Sequence, residues 1–240
     1  CSMALPSSGG IVLSQSLNIL ENFDLTSYDH NSLDYNRLLI EAMRFSFSDR
    51  SEFLGDEDFN NFDIRKITSK KYAKTLSTRI KGSKNKIAID SPGKYFIESE
   101  ETTHFSIIDS NGNAVSNTYT LNTAYGSGII AKGTGILMNN EMDDFSIKPG
   151  FPNFFGLVGS EANKVESKKA PLSSMTPTIV LQGGKPFLIT GSPGGSTIIS
   201  SVLQLLLNVL IFDMEIDEAS IAKRIHHQWK PDILFIENEK

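Results

Sequence analysis

Cysteine is almost missing from this sequence of 240 residues, with Cys1 the single one. That excludes an intramolecular disulfide and any cysteine-based zinc site, and it leaves the redox compartment unspecified. An excess of basic charge is missing as well. With 23 Lys+Arg against 28 Asp+Glu the formal net charge is -5, so no basic face offers itself to a nucleic-acid polyanion. The one basic cluster, KGSKNK at 81–86, reads as a solvated loop. Long apolar runs are lacking: IISSVLQLLLNVLIF, residues 198–212, is interrupted by Ser200, Ser201, Gln204 and Asn208. It falls short of the roughly 18 residues that a membrane span requires and reads as a buried helix. CSMALPSSGG at the start has neither a charged n-region nor a long apolar h-region, so these residues contain no signal peptide. A start at Cys rather than Met suggests a partial chain. Internal repeats with a period of 20–50 residues and low-complexity tracts are not evident either.

What is present is an ordinary globular balance, 39% hydrophobic and 21% charged, sufficient for one domain or one and a part. Residues 11–60 read as helical. Leu39, Ala42, Met43 and Phe47 recur at helical spacing, with Asn31 and Ser32 available as N-caps. From 64 to 100 the sequence is rich in lysine and serine without sustained periodicity, and 81–101, with Pro92-Gly93, reads as an exposed connector. After 102 the pattern turns to β: HFSIID and AVSNTYTL flank SNGN, a turn sequence that readily supplies positive φ. A second hairpin is expected at 176–190 around QGGK, followed by the glycine loop GSPGGS and a helix from about 197. Residues 139–175, rich in Pro, Gly and Asn, form a connection of a length that is usually functional.

Several residues are suited to chemistry. Thr102 follows a polar approach and opens a strand. A threonine hydroxyl is a weak nucleophile unless a base activates it, and an N-terminal threonine carries such a base in its own α-amine. Mid-chain, this requires cleavage of the bond before it; otherwise Thr102-Thr103 simply starts a strand, as β-branched residues do. The glycine loop lies between a strand and a helix, where backbone N–H groups can face an anion. It fits a phosphate cradle, although no Walker lysine follows. It equally fits an oxyanion hole built on Gly194 and Gly195, or a tight turn alone. Glu141, Asp143 and Asp144 could face a metal, a substrate ammonium or water; a metal is disfavoured because no histidine is near in sequence and the spacing is not that of an EF-hand. Ser173 and Ser174 are hydroxyl donors suited to a carboxylate. His226 and His227 are adjacent, so neither a helix nor a strand points both at one metal, and they read as structural.

In this order, PSSGG (6–10), EAMRFSFSDRSEFLGDEDF (41–59), TTHFSIID (102–109), GNAVSNTYTLNTAYGSGI (112–129), NNEMDDFSIKPGFPNFFGLVG (139–159), PLSSMTPTIV (171–180), GSPGGS (191–196) and HHQWKPD (226–232) resemble the γ-glutamyltransferase (glutathione hydrolase) family. The resemblance runs over nearly the whole chain. It implies an α+β fold, the four-layer αββα N-terminal-nucleophile hydrolase sandwich with two stacked antiparallel sheets, here incomplete. It implies self-cleavage between Glu101 and Thr102 into the end of a large subunit, 1–101, and a small catalytic subunit, 102–240. Thr102 corresponds to the nucleophile and Thr120 to the threonine that supports it. Asn122, Glu141 and Asp144 correspond to residues that hold the glutamyl α-amino group, Ser173 and Ser174 to those that bind the α-carboxylate, and Gly194 and Gly195 to the oxyanion hole. Phe155 lies in the lid, 149–160.

The implied donors are glutathione and other γ-glutamyl compounds, and the acceptors are water, amino acids or peptides. No cofactor or metal is implied, nor is nucleic acid. Relatives are typically periplasmic or secreted. Three departures follow from the resemblance. Nothing here corresponds to several hundred preceding residues, including an arginine for the α-carboxylate that a separate chain would have to supply. Some tens of residues that complete the sheets are not represented after Lys240, so apolar faces and sheet edges are expected to be exposed. The lid carries Phe155 where tyrosine is frequent, which removes a hydroxyl partner for Asn122 at a cost of roughly 1–3 kcal/mol and predicts looser closure. The alternative to an enzyme is a catalytically silent remnant that binds glutamate-like ligands; a phosphate-binding module built on GSPGGS is a third reading.

Overall fold

A computed structural model describes residues 1–82, the backbone of 94–96, and 102–238. Its helical part begins with α1 (Gly9–Leu20) and α2 (Leu33–Phe53). Ser32 starts α2, its hydroxyl accepting the Tyr35 N–H at 3.3 Å, and Asp34 in the first turn suits the positive end of the helix. The expected helical stretch 11–60 is thus two helices. The cap- and turn-forming residues between them, Asn22 to Ser32, hold only one short 3-10 turn, Leu25–Ser27. Leu39, Ala42, Met43 and Phe47 are all buried, as their spacing predicts.

The lysine-rich segment differs from its sequence reading. It forms α3 (Arg65–Thr68) and α4 (Lys70–Gly82), and α4 buries Ala73, Leu76, Ser77 and Ile80. Those positions follow an i, i+3, i+4, i+7 pattern, a stripe hidden among lysines because two of its four members are Ala and Ser. Helices α2 and α4 and the later α5 (Ile198–Leu210) pack against α1. One shared core results, with Ile19, Leu39, Leu76 and Leu203 at its centre.

Helix α5 explains why its apolar run contains polar residues. Gln204 accepts the Ile225 N–H at 2.9 Å and donates to Ile225 O at 2.8 Å, while Asn208 Oδ1 bonds His30 Nε2 at 2.9 Å. Gln204 and Asn208 thus tie neighbouring segments to the helix, in keeping with the need of buried polar groups for partners. Among the described residues no helix is long and apolar enough to cross a membrane.

Of the expected connector 81–101, residues 81–82 end α4 and 94–96 form strand β1 (Lys94–Phe96); the rest lies outside the described residues. The two expected hairpins are present: β2 (Thr103–Ile108) with β3 (Ala114–Tyr119), and β4 (Thr178–Gln182) with β5 (Lys185–Thr190). Asp109 closes the first turn by accepting the N–H groups of Asn111 and Asn113. Gly183 and Gly184, both at positive φ, close the second.

The hairpins are joined through side chains. Ser106 donates to Ile189 O at 3.0 Å and Ser116 to Thr190 O at 2.8 Å, and the Thr178 N–H donates to Ser116 Oγ at 3.0 Å. Gly191 lies so close to the His104 ring that a Cβ there would sit 2.2 Å from Nδ1. The start of β2 is thereby fixed against the glycine loop that follows β5. The opposite face of the first hairpin leaves Phe105, Ile107, Val115 and Tyr119 exposed.

After the short helix α6 (Ile216–Ile221), strands β6 (Ile225–His226) and β7 (Phe235–Glu237) pair antiparallel, and β1 adds to β7 in parallel. The adjacent histidines take different partners. Gln228 donates its amide to the carbonyls of Phe155 and Lys230, which turns Oε1 toward His226 Nε2 at 2.9 Å; Nδ1 bonds Ser200 at 2.9 Å. His227 accepts the Trp229 N–H on Nδ1 and so donates from Nε2 to Asp232, which also binds Arg44.

Burial, only partly opposed by the bond to Gln228, pushes the His226 pKa down to about 4. Because the unfolded imidazole titrates near 6.5, this stabilisation is complete above that pH and is lost as the pH falls toward 4. Urea unfolding should show about 3 kcal/mol less stability at pH 4 than at pH 7 from this group. His226→Gln should remove that share of the slope.

Candidate active site

The hairpin contacts deliver Thr102 to the mouth of a cleft. Its Oγ1 donates to Thr120 Oγ1 at 3.2 Å, and Thr120 Oγ1 also accepts the Asn122 N–H at 2.9 Å. Thr102 is partly exposed, so its hydroxyl is reachable. Asn122, 4% exposed at a φ of 77°, occupies a left-handed conformation in which Asn is among the few tolerated non-glycine residues. Its Nδ2 donates to Asn140 O at 3.2 Å. The Asn122 side-chain N–H therefore has an acceptor that does not depend on Phe155.

Asp144 lines the same cleft, in a 3-10 turn, Glu141–Asp144, that begins the long connection. Burial first, then the charge of Glu141 and a hydrogen bond to it, raises the Asp144 pKa to about 8; the buried Arg50 guanidinium opposes this and is outweighed. Glu141 is also raised, by burial, although its bond to Asp144 works the other way. Both carboxyls are therefore held toward their protonated forms. An ammonium entering here would replace a proton, as like charges in one site favour either protonation or a counter-cation.

Ser173 and Ser174 line the cleft on another side. Ser173 Oγ accepts the Met175 N–H at 3.1 Å, and Ser174 Oγ accepts from Arg50 Nη2 at 3.3 Å. Among the described residues neither hydroxyl donates to a protein acceptor, so both protons are available to an anion. The segment is held by PSSGG. Ser173 N–H donates to Pro6 O at 2.9 Å, Ser8 N–H to Ser173 O at 2.9 Å, and Ser7 Oγ to Met175 O at 2.7 Å.

Gly195 lines the cleft between the lid and helix α5. Gly194 has φ of 124° and Gly195 of 58°, and a Cβ on Gly195 would lie 2.5 Å from the Phe155 ring. The loop thus needs glycine for its backbone and for the close approach of the Phe155 ring. The turn that carries Phe155 is closed by Asn153, whose Oδ1 accepts the N–H groups of Phe155 and Leu157.

Of the residues expected from sequence, Thr102, Thr120, Asn122, Asp144, Phe155, Ser173, Ser174 and Gly195 share the cleft lining. Glu141 reaches it through Asp144, Gly194 stands one residue back, and Glu101 lies outside the described residues. Sequence reasoning missed Met175 and Ile198, which add apolar lining, and Arg50, which holds Ser174. Arg50 follows Met43 and Phe47 on the core-facing stripe of α2. A charged residue in that register was the signal.

The family model described as Gamma-glutamyltranspeptidase matches residues 1–240. The chain belongs to that family. It is 52% identical over 238 residues to the glutathione hydrolase proenzyme of Escherichia coli K12, covering 98% of this chain and 41% of that protein. Against the glutathione hydrolase proenzyme of Pseudomonas aeruginosa the identity is 47% over 231 residues, covering 95% and 41%. The chain therefore spans about two fifths of the length of these transpeptidase-family relatives. A crystal structure of a mutant Helicobacter pylori gamma-glutamyltranspeptidase shares 60% identity and a TM-score of 0.56, covering 57% of this chain and 73% of that one. A cephalosporin acylase from Bacillus halodurans, 22% identical, shares the fold with a TM-score of 0.73 over 94% of this chain and 38% of its own.

The raised Asp144 pKa has a stability consequence. Between the unfolded value near 3.9 and about 8 the folded carboxyl holds a proton that the unfolded one has lost, so stability declines as pH rises through that window. Asp144→Asn should melt above the parent at pH 8. In calorimetric scans the gap should narrow toward pH 5.

Proposed function

We propose that the protein transfers and hydrolyses γ-glutamyl groups of glutathione and related compounds through an ester on Thr102. The observation that carries this reading is the Thr102–Thr120 hydroxyl pair, at 3.2 Å, in one cleft with Asp144, Ser173, Ser174 and Gly195. An amino acid end fits that distribution: acidic groups for its ammonium, two free O–H donors for its carboxylate. The names of the relatives agree.

The reading requires cleavage before Thr102. The Thr102 hydroxyl attacks the carbonyl carbon of Glu101, the C–N bond breaks to leave an ester and a free α-amine, and water hydrolyses the ester. Residues 1–101 then belong to a large subunit and 102–240 to a small one, which remain associated as a heterodimer. With a donor bound, the freed α-amine takes the Oγ1 proton as Oγ1 attacks the γ-carbonyl carbon. Thr120, which accepts the Thr102 hydroxyl, orients it. The developing oxyanion meets the backbone N–H groups of Gly194 and Gly195. As the γ-amide C–N bond breaks, the proton passes to the leaving amine, cysteinylglycine when glutathione is the donor. Water or the amine of an amino acid or peptide then attacks the ester and regenerates Thr102. By family resemblance we place this activity in the periplasm or outside the cell.

The test uses the protein with whatever flanking sequence its gene encodes. Mass spectrometry should find two pieces divided between Glu101 and Thr102, and Thr102→Ala should leave the chain whole and stop release of 4-nitroaniline from a γ-glutamyl anilide. An uncut parent that is fully active would sink the mechanism. Glutamate binding by calorimetry without aniline release would instead identify the binding-only alternative.

The pH dependence separates two groups. Asp144 must lose its proton to receive the ammonium, so KM for the anilide should rise as pH falls below about 8, by up to about tenfold per unit. Any acid limb that remains in kcat at saturating donor reports the Thr102 amine.

A further inference from the structure

Arg50 is the buried cation nearest the chemistry, and the sequence reading had no role for it. It stands in the last turn of α2, 5% exposed. Among the described residues no carboxylate forms an ion pair with it. Its guanidinium spends its donors on three oxygens: Nε on Ser8 Oγ at 2.9 Å, and Nη2 on Leu172 O at 3.5 Å and on Ser174 Oγ at 3.3 Å. Ser8 Oγ in turn donates to Ser173 O at 2.8 Å. Both serines of the cleft are therefore held by this side chain, Ser174 directly and Ser173 through Ser8.

We infer that Arg50 is a positioning residue that makes the protein selective for donors bearing an α-carboxylate, an inference that rests on the γ-glutamyl reading above. A guanidinium can only donate hydrogen bonds. Once Ser174 Oγ accepts from it, the hydroxyl must turn its proton elsewhere, and the cleft is the open direction. A carboxylate accepts such a proton; an ammonium or an amide N–H does not. The interaction also polarises the hydroxyl, since bonds to charged donors are the stronger class. The positive charge behind the two serines favours an anion in front of them and disfavours a cation. Arg50 does not line the cleft and does not touch the donor; it acts through Ser174 and Ser173.

The test compares γ-glutamyl 4-nitroanilide with 4-aminobutyryl 4-nitroanilide, which lacks only the α-carboxylate, on the full gene product. Arg50→Gln should reduce the ratio of their kcat/KM values at least tenfold. The loss should fall in KM for the γ-glutamyl compound, with kcat within about threefold. Arg50→Lys, which keeps the charge on a single nitrogen, should restore part of the ratio. Ser174→Ala should reduce the ratio comparably, and adding Arg50→Gln to it should reduce it little further, because the two act on one contact. An unchanged ratio in Arg50→Gln, or equal losses on both substrates, overturns the inference. If Arg50→Gln does not fold, an unchanged ratio in Ser174→Ala overturns it independently. A parent that releases no aniline, or a Thr102→Ala variant that still does, overturns the γ-glutamyl reading itself.

Discussion

Burying a guanidinium is the constraint around which the cleft is organised. Removing an ion from water costs several kcal/mol even after relaxation, and burial pulls the Arg50 pKa down to about 10. That value still leaves the side chain charged at neutral pH. The charge survives because Ser8, Leu172 and Ser174 each give it an oxygen, and a hydrogen bond to a charged group contributes roughly 1.5–3 kcal/mol. Those three acceptors come from the start of the chain and from the segment before β4. Satisfying one arginine on α2 therefore draws the PSSGG turn and the serine segment together. The backbone bonds between Pro6, Ser8 and Ser173 complete the join.

The same charge enters the balance at Asp144 without deciding it. Arg50 favours the carboxylate, yet burial and the neighbouring Glu141 outweigh it, and the pKa stands at about 8. The acidic pair is thus held toward its protonated form. Arg50 gives its donors to Ser8, Leu172 and Ser174 instead. On the γ-glutamyl proposal, these two adjacent regions would receive opposite ends of an amino acid.

Much of this was legible in the sequence where a residue's type restricts its surroundings. The SNGN and QGGK turns announced their hairpins, because positive φ leaves few choices, and the short, interrupted apolar run 198–212 read as the buried helix that α5 is. What was not legible follows from the same physics. Helix α4 buries Ala73 and Ser77 beside Leu76 and Ile80, a stripe too weak in hydrophobicity to stand out against seven lysines and arginines in the same helix and its approach, from Arg65 to Lys81. The pairing of β1 with β7 joins residues about 140 positions apart, and no local pattern encodes a contact of that range. Arg50 could be seen to fall on an apolar stripe, but its acceptors are two backbone-held serines and a carbonyl that only the fold brings to it.

The reach of the HHQW segment into the lid shows how far such polar satisfaction extends. Gln228 must place an amide with two donors and one acceptor, and it does so by giving its N–H groups to Phe155 O and Lys230 O and its oxygen to His226. His226 in turn bonds Ser200, in the first turn of α5, the helix that begins directly after Gly195 and Thr197. The carbonyl that fixes the lid over Gly195 and the helix that follows Gly195 are therefore linked through one neutral imidazole. A protonated His226 would present a donor on both nitrogens, and Ser200 would have to turn its own proton away to Thr197 O, which it already meets at 2.9 Å. The buried histidine stays neutral because that exchange would place a charge where burial removes water.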